Sequence, residues 1–211
     1  MSGKLIVFEG VEGCGKTTQL QRCQQWLTSF NSVVTREPGG TDLGLKLRQL
    51  LLSADNGIIH DAAELLLYAA DRAQHVEEVL KPQLRNGAII LSDRYTDSTV
   101  AYQGYGRGLS LSLINQLNLI ATGGLESDLT LWLDVDVEVG LERTKNRGKL
   151  DRIEQADLKF HARVQQGYAQ LAKACPQKIV RVDANLDTES VNKQIQAIVS
   201  QRLRQWGLKV E

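Results

Sequence analysis

The sequence predicts an α/β fold in which a five-stranded parallel sheet is flanked by helices. Short apolar segments alternate along the chain with longer amphipathic ones, which is the pattern of strands joined by crossover helices. The apolar segments are nearly continuous runs, as is typical of strands covered on both faces. With 211 residues, 42% of them hydrophobic and 24% charged, the chain fits one domain around one core. We therefore expect residues 1–211 to form a single domain.

The elements follow one another in a regular order. Apolar runs predict strands, and amphipathic stretches with helical spacing predict helices. The predicted strands are residues 5–9, 33–36, 88–92, 129–134 and 179–183, of which 33–36 is the weakest. The predicted helices are residues 17–30, 43–52, 62–81, 111–121, 137–147 and 158–174. A last helix carries Val191, Ile195, Val199 and Leu203 on one face.

Charge and hydropathy exclude several classes of protein. The 25 basic and 25 acidic side chains give a formal net charge of zero, which excludes a nucleic-acid binder built on bulk positive charge. The longest apolar run, residues 65–70, is far shorter than the roughly 18 residues that span a membrane. The first residues lack the pattern of a signal peptide. We expect no nucleic acid and no membrane as partner, and the cytoplasm as the compartment.

The cysteines and histidines predict neither a metal site nor a disulfide framework. Cys14, Cys23 and Cys175 are scattered and odd in number, and we expect Cys23 and Cys175 to be buried. The histidines are solitary, so structural roles are expected for His60, His75 and His161.

A phosphate-binding loop follows the first predicted strand. Residues 10–17 read GVEGCGKT, which fits G-x-x-x-x-G-K-[ST] and leads directly into a predicted helix. Glycines let successive backbone N–H groups point at phosphate oxygens, and the helix adds its positive end. Lys16 is expected to bridge the β and γ phosphates, and the Thr17 hydroxyl to ligate Mg²⁺. The predicted ATP-binding residues are Gly10, Glu12, Gly13, Cys14, Gly15, Lys16, Thr17 and Thr18.

Among nucleotide-binding proteins, a small kinase fits best. GTPases read guanine with an N/T-K-x-D loop, whereas the nearest string here, residues 144–147, reads TKNR and lacks the aspartate. Large motor and transporter ATPases need further domains, for which 211 residues leave little room.

Charged side chains follow two more predicted strands. Arg36 ends the second strand, and Asp93 and Arg94 follow the third, at the sheet edge where open α/β proteins bind ligands. An arginine fork suits two phosphate oxygens, and Asp93 could reach the water shell of a metal. Taken singly, each of these residues is explained equally well by a structural turn.

Four strings occur together in one order: the phosphate loop, TREPGGT at 35–41, Asp93-Arg94 with Ser98, and LDRIE at 150–154. In this combination the chain resembles thymidylate kinase over nearly its whole length. The resemblance implies a P-loop nucleoside monophosphate kinase-like fold. It also implies a homodimeric cytosolic enzyme that transfers the γ-phosphoryl group of ATP to dTMP, with Mg²⁺, in dTTP biosynthesis.

The resemblance assigns the acceptor side residue by residue. It implies that Glu12 accepts a hydrogen bond from the deoxyribose 3′-hydroxyl and that Arg36 and Arg94 hold the acceptor phosphate. Tyr68 would stack on thymine, although many relatives have Phe there. Arg72, one helical turn later, would bond the 4-oxo edge of the base and so reject cytosine.

The same resemblance implies a base and sugar pocket. Ser98, Thr99 and Gln103 would line the base, although some relatives have Asn where this chain has Thr99. Tyr102 would lie under the sugar, where a ribose 2′-hydroxyl would clash, so that dTMP is preferred to UMP.

A basic run at residues 143–154 is the expected lid. Five of the ten residues from 143 to 152 are basic: Arg143, Lys145, Arg147, Lys149 and Arg152. Alone, such a run is explained by a solvated face. In the family, some members carry a catalytic arginine in the phosphate loop and others supply it from the lid. The loop here has no arginine, which points to the lid type, with Arg147 and Arg152 as candidates.

The predicted catalytic residues are Lys16, Asp93, Arg94, Arg147 and Arg152, with Thr17 and Asp93 at the metal. Phosphoryl transfer needs mainly positioning and charge, and a phosphomonoester with a second pKa of about 6 needs no general base. Two alternatives stay open: another nucleoside monophosphate or deoxynucleoside kinase, and a non-catalytic ATP-binding module.

Overall fold

The computed structural model describes residues 3–53, 57–146, 148 and 150–208. Its strands are β1 (Lys4–Glu9), β2 (Ser32–Arg36), β3 (Ile89–Asp93), β4 (Leu129–Asp134) and β5 (Ile179–Asp183). They form one sheet in the order β2-β3-β1-β4-β5, and every neighbouring pair is parallel. The predicted five-stranded parallel sheet is confirmed, with strand ends within one residue of those predicted.

Helices cover both faces of the sheet. Their bounds are α1 (Lys16–Trp26), α2 (Asp42–Leu52), α3 (Asp61–His75), α4 (Lys81–Arg85), α5 (Thr96–Thr99), α6 (Leu111–Thr122), α7 (Val137–Lys145), α8 (Leu158–Ala174) and α9 (Thr188–Gln205). Side chains that accept from first-turn N–H groups begin five of them, namely Thr41, Ser110, Asp136, Asp157 and Asp187.

The long helix predicted for residues 62–81 is interrupted. After α3 the chain makes a π-helical segment, Val76–Leu80, before α4 begins. The apolar periodicity continues through this segment, so the pattern alone did not distinguish one more residue per turn from an ordinary helix.

A helical segment that was not predicted follows β3. It comprises α5 and a second π-helical stretch, Val100–Gly106. Two glycines make its sequence look like a loop, but the structure uses them for close packing. A Cβ on Gly106 would lie 2.7 Å from the Phe160 ring, and one on Gly104 would lie 2.5 Å from Leu111. π-helical turns are frequent at functional sites.

The core explains why β1 reads as an unbroken apolar run. Successive side chains of a strand point to opposite faces of the sheet. Leu5 and Val7 pack with Val76 and Leu80 in one cluster. Ile6 and Phe8 belong to another, which also contains the apolar faces of α1, α8 and α9. With both faces covered, the carboxyl edge of the sheet is where polar side chains gather.

The two cysteines that were expected to be buried lie in different environments. Cys23 is buried as predicted, whereas Cys175 is exposed, because it lies just beyond the end of α8, outside the packed face. In the part of the chain that the structure describes, no helix is long and apolar enough to cross a membrane. Of the predicted lid arginines, Arg147 lies outside the described residues.

Candidate active site

The loop between β1 and α1 has the backbone of a phosphate cradle. Gly10, Gly13 and Gly15 all have positive φ, which L side chains rarely adopt. A Cβ on Gly13 would lie 2.0 Å from the carbonyl oxygen of Gly140 in α7, so only glycine fits there. The Lys16 ammonium folds back over the loop and donates to Gly10 O at 3.0 Å and Val11 O at 3.1 Å. The loop therefore encloses its own cation.

A cavity of about 1120 Å³, including its open mouth, lies over this cradle. Five cationic side chains line it, namely Lys16, Arg36, Arg48, Arg94 and Arg143, together with five acidic ones, Glu12, Glu37, Asp93, Asp151 and Glu154. The other loop residues that line it are Glu12, Gly13, Cys14, Gly15, Thr17 and Thr18. The predicted donor-side residues are thus brought together, except that Gly10 contributes through its carbonyl oxygen, which accepts from Lys16. The backbone N–H groups of the loop and the Lys16 ammonium suit polyphosphate.

Thr17 and Asp93 meet at the edge of this cavity. The Thr17 hydroxyl donates weakly to Asp93 Oδ2 at 3.4 Å. The other carboxylate oxygen, Asp93 Oδ1, is buried and has no hydrogen-bond partner among the described residues. An orphaned carboxylate oxygen beside a hydroxyl is a set of hard oxygen donors. The pair therefore fits a magnesium ion that keeps most of its waters.

Arg94 is held in an unusual backbone conformation. Its φ of 74° is in the left-handed region, and it is the one non-glycine residue there in the described ranges. Its Nη2 donates to Glu12 Oε1 at 2.6 Å and to the Tyr102 hydroxyl at 3.0 Å, and its Nη1 donates to Ser98 Oγ at 3.1 Å. Such strain persists only where neighbours over-determine it, and it clusters at functional sites.

Glu12 is kept ionised by this arrangement. Burial would raise its pKa, but the charges of Arg94 and Lys16 and a hydrogen bond from Tyr102 outweigh burial and lower the pKa to about 2. The carboxylate accepts from the Tyr102 hydroxyl at 2.8 Å. At neutral pH Glu12 is therefore an acceptor and not a donor.

A second cavity, of about 590 Å³ with its mouth, adjoins the first. Five residues line both: Glu12, Glu37, Arg48, Arg94 and Asp151. The remainder of the second cavity is lined by Pro38, Leu52, Tyr68, Asp71, Arg72, Ser98, Thr99, Tyr102, Gln103 and Ile153. The predicted acceptor residues gather here, with Arg36 lining the phosphate cavity instead. Its lining combines apolar and aromatic side chains with charged and polar ones, as is typical of small-molecule sites.

Arg72 is almost completely engaged within the protein. Its Nε donates to Glu37 Oε2 at 2.8 Å, its Nη2 to Tyr95 O at 2.9 Å, and its Nη1 to Thr99 Oγ1 and Asn118 Oδ1 at 2.8 and 2.7 Å. A guanidinium has five N–H donors, so these four bonds leave one Nη2 hydrogen for a ligand. The side chain is 2% exposed. Its orientation is fixed before any ligand arrives.

A histidine supports that fixed arginine. His75 Nδ1 lies 2.8 Å from Glu37 Oε1, and its Nε2 lies 2.6 Å from the Thr35 hydroxyl. Glu37, in the segment after β2, thus binds two side chains of α3, those of Arg72 and His75. His75 is fully buried in this network.

The other predicted pocket residues have partners as well. Gln103 donates to Glu64 Oε1 at 2.8 Å, and Tyr68 is half-buried, with burial raising the pKa of its hydroxyl. The Tyr102 ring meets Phe160 and Tyr168 edge to face, and its hydroxyl is bound to Glu12. Its ring is therefore braced against α8 at the wall of the second cavity.

Arg152 lies away from the phosphate cavity in this structure. Its guanidinium pairs with Glu64 of α3 and donates through Nε to Leu51 O at 2.8 Å. It does not line either of the two cavities, whereas its neighbours Asp151 and Ile153 do. Asp151 Oδ1 accepts from the backbone N–H groups of Ile153 and Glu154, both at 2.9 Å, which closes a tight turn. A catalytic role of Arg152 stays a prediction that requires the guanidinium to leave Glu64.

Several lining residues were not predicted as site residues: Glu37, Arg48, Asp71, Arg143 and Asp151. Arg48 stands one helical turn after Gly44, whose burial is known only from the structure, and so lies on the inward face of α2. Arg143 belongs to the basic run at the end of α7. Glu37 lies in the string at 35–41, but no role was predicted for it, and Asp71 gave no sequence signal; the burial of both depends on how α3 packs against the segment after β2.

Comparisons with known proteins point to one family. The family model described as thymidylate kinase matches residues 8–195. The chain is 65% identical over 208 residues to the thymidylate kinase of Nostoc punctiforme, covering 97% of this chain and 99% of that protein. It is 63% identical over 211 residues to that of a second Nostoc species, covering 98% and 100%. The crystal structure of thymidylate kinase from Ehrlichia chaffeensis matches with a TM-score of 0.79 at 32% identity, covering 94% of this chain and 100% of that one.

Proposed function

The chain belongs to the thymidylate kinase family, and from that premise we propose how its residues phosphorylate dTMP to dTDP. Thymidylate kinases use ATP as the phosphoryl donor, and the reaction serves dTTP synthesis. The fold is that of the P-loop nucleoside monophosphate kinases. The side chains that act belong to the phosphate loop, the two adjoining cavities and the lid.

On the donor side, the triphosphate of ATP lies over the loop of residues 10–17. Lys16 releases the carbonyl oxygens of Gly10 and Val11 and binds the β and γ phosphates, while backbone N–H groups and the start of α1 bind the remaining oxygens. A third cavity, of about 650 Å³ with its mouth, extends to α9 and shares five lining residues with the phosphate cavity: Gly13, Cys14, Gly15, Thr18 and Arg143. We assign it to the adenosine part of ATP.

Magnesium is the expected partner of the phosphates. The unpartnered Asp93 Oδ1 and the Thr17 hydroxyl are the residues that would hold it, Thr17 directly and Asp93 through water. When bound, the ion neutralises phosphate charge. Asp93 acts by organising this edge of the site and not as a general base, because a phosphomonoester is already mostly dianionic at neutral pH.

On the acceptor side, dTMP occupies the second cavity with its phosphate toward the first. Arg94 and Arg36 bind that phosphate, and Arg48 is a third cation within reach, since it lines both cavities. Glu12, ionised and facing the shared boundary, accepts from the 3′-hydroxyl of the sugar. The guanidinium groups also stabilise charge that develops on the transferred group.

Base selection follows from the rigid Arg72 network. The remaining Nη2 hydrogen of Arg72 donates to the 4-oxo group of thymine, which the 4-amino group of cytosine cannot accept. Tyr68 stacks on the ring, and Ser98, Thr99 and Gln103 close the pocket around it. Tyr102 stands beside the sugar and disfavours a 2′-hydroxyl. Because the Arg72 guanidinium is fixed, cytosine in the pocket would leave the Nη2 hydrogen without an acceptor. This cost discriminates against dCMP more strongly than the fit of the base alone.

The lid completes the site. Arg143 already lines the phosphate cavity. Arg147 and Arg152 are the proposed cationic groups that approach the phosphates when the lid closes. Closure would exclude water from the transferred phosphoryl group. Arg152 reaches it only by giving up Glu64.

The observation that carries the proposal is the shared boundary of the two cavities. Five residues belong to both, and two of them, Arg48 and Arg94, carry guanidinium groups, so two anionic ligands can meet end to end with arginines between them. A non-catalytic ATP-binding module would have no use for the second cavity.

A substrate panel tests the assignment. Turnover of dTMP, dUMP, UMP, dCMP and thymidine is measured with ATP and Mg²⁺ under identical conditions. We expect dTMP to have the highest kcat/KM and dCMP to be essentially inert. Faster turnover of UMP or thymidine would assign the chain to another kinase activity, and ATP binding without any turnover would favour the non-catalytic module.

We propose that the enzyme is a homodimer, and that the cytoplasm is its compartment. Exposed apolar side chains on two adjacent helices support the dimer: Leu66 of α3, 60% exposed, and Leu113 and Ile120 of α6, 53% and 77% exposed. The two helices pack against each other. Light scattering after size-exclusion chromatography is expected to give twice the chain mass, and Leu113→Glu to give the monomer. Wild-type protein that elutes as a monomer at micromolar concentration would exclude the dimer.

A further inference from the structure

Glu9 is a fully buried carboxylate at the end of the central strand, next to the acceptor site but outside it. Its Oε1 accepts from the backbone N–H groups of Tyr95 at 2.9 Å and Ser98 at 3.1 Å. Its Oε2 accepts from the Ser98 hydroxyl at 2.5 Å and the Tyr168 hydroxyl at 2.7 Å. Glu9 lines neither of the two substrate cavities. Four donors on one buried carboxylate point to a task other than filling space.

Two of those bonds fix the backbone around Arg94. Tyr95 is the N-cap residue of α5, but its side chain makes no capping hydrogen bond. The carboxylate of Glu9, at the end of β1, caps the helix instead. The N–H of Arg94 is held by the carbonyl of Phe8 at 3.0 Å, and the next N–H by Glu9. Consecutive residues of β1 therefore hold both peptide groups of a residue in the left-handed region. This is the local restraint that such a conformation requires.

The other two bonds set the direction of hydroxyl hydrogens. Because the carboxylate only accepts, the hydrogens of Ser98 and Tyr168 point at Glu9. The oxygen lone pairs are then free to face Arg94, whose Nη1 lies 3.1 Å from Ser98 Oγ and 3.4 Å from Tyr168 Oη. The two hydroxyls thus form a hydrogen-bond relay between Glu9 and Arg94, in which each hydroxyl donates to the carboxylate and accepts from the guanidinium.

We propose that Glu9 is a positioning residue of the acceptor site, which aims the Arg94 guanidinium by capping α5 and by orienting the hydroxyls of Ser98 and Tyr168. The inference rests on the proposed function in one respect, namely that Arg94 binds the phosphate of dTMP. Glu9 itself touches neither substrate.

Protonation of Glu9 breaks the relay. A neutral carboxyl donates one hydrogen bond, so one of the two hydroxyls accepts from it and no longer donates to Glu9; its own hydrogen turns toward Arg94 or toward the other hydroxyl, 3.0 Å away. The titratable and charged groups that face Glu9 are Asp97 of α5, Arg94 of the turn and Tyr168 of α8. Burial and the Asp97 carboxylate raise the pKa of Glu9 to about 7, against the lowering effect of Arg94 and the two hydroxyls. The relay therefore weakens as the pH falls through neutrality.

The test is the KM for dTMP of Glu9→Gln against wild type at pH 8 and pH 6. The glutamine oxygen still accepts from the backbone of α5, but its amide group donates to Ser98 and Tyr168 and so mimics protonated Glu9 at every pH. We expect the KM for dTMP to rise about tenfold at pH 8, the effect of one hydrogen bond to a charged group, and the ratio of variant to wild type to approach one at pH 6. The KM for ATP stays unchanged. The ionisation of dTMP itself is common to both proteins and cancels.

Asp97→Asn is the matched control, because Asp97 is a second buried carboxylate near Glu9, in α5, but accepts from Thr130 and has no hydrogen bond to Arg94 among the described residues. Its KM for dTMP at pH 8 is expected to stay within about twofold of wild type. A Glu9→Gln penalty that is absent, or equal at both pH values, overturns the proposal, since a merely structural loss would not follow pH.

A second variant decides the matter should Glu9→Gln fail to fold, which circular dichroism would reveal. Tyr168→Phe removes one donor to the carboxylate and keeps the ring, so it moves the pH midpoint of the dTMP KM upward; an unmoved midpoint overturns the proposal. Wild-type protein that does not phosphorylate dTMP would instead refute the proposed function, and this inference with it. Normal turnover with an indifferent Glu9 refutes the inference alone.

Discussion

The buried ion pair between Arg72 and Glu37 allows a prediction whose size follows from the structure. The Arg72 and Glu37 side chains are only 2% and 3% exposed, and Arg72 Nε lies 2.8 Å from Glu37 Oε2. In Glu37→Ala, the guanidinium keeps its hydrogen bonds to neutral groups but loses its only salt-bridge partner among the described residues, and His75 loses a partner as well. Removing one member of a buried pair costs about 3–5 kcal/mol, because the other charge is left desolvated.

The measurement is the thermal and urea unfolding of Glu37→Ala against wild type. For a chain of this size, 1 kcal/mol lowers Tm by about 2–4 °C, so the expected decrease is about 6–20 °C. The kcat/KM for dTMP should fall as well, because Arg72 is no longer held against the base.

A surface pair provides the control. Arg22 and Glu189 are also 2.8 Å apart, but their side chains are 38% and 59% exposed. Glu189→Ala is expected to cost less than about 1 kcal/mol, since solvent screens such pairs. A Glu37→Ala loss no larger than that of the control would refute the reasoning that burial makes the pair indispensable.

Three further predictions concern turnover, sugar selection and pH. Lys16→Ala should lower kcat more than about a hundredfold in a coupled ADP assay with an unchanged melting curve, and near-normal turnover would remove Lys16 from the mechanism. Tyr102→Ala should narrow the preference for dTMP over ribo-TMP, whereas Tyr102→Phe keeps it; an unchanged ratio in the alanine variant excludes the sugar role. Burial raises the pKa of Asp71 to about 6 from an unfolded value of 3.8, so the folded state binds this proton more tightly, and the stability that it contributes is lost as pH rises through 6. Asp71→Asn should therefore gain up to about 3 kcal/mol relative to wild type between pH 4 and pH 7 in urea titrations, and a flat difference would contradict the shift.

The sequence predicted those parts of the fold that are specified by residues close together in the chain. The strands and the phosphate loop were predicted nearly to the residue, because alternating apolar runs and glycine spacing are local patterns. The helical segment after β3 was missed, since Gly104 and Gly106 indicate a loop until Leu111 and Phe160 pack against them. The interruption at Val76–Leu80 was missed because its apolar spacing fits either helix type.

The acceptor site shows the same division. Arg36 and Arg94 were predicted at the sheet edge, and both line the phosphate cavity. The resemblance placed Tyr68, Ser98, Thr99, Tyr102 and Gln103 around the acceptor, and all five line the second cavity. Arg152 was expected at the phosphates, yet it pairs with Glu64, 88 positions away. No local pattern could have indicated that partner.

The sequence by itself determined the sheet, the loop that binds phosphates and the family, because the sheet and the loop rest on residues close together in the chain and the family rests on four such short strings in one order. Only the tertiary structure decided which charges face each other: Glu37 with Arg72, Glu12 with Arg94, and Glu9 beneath the turn that carries Arg94. The physical reason is that the energy of a charged group depends on its burial and its partners. Both are properties of packing between segments that lie far apart in sequence.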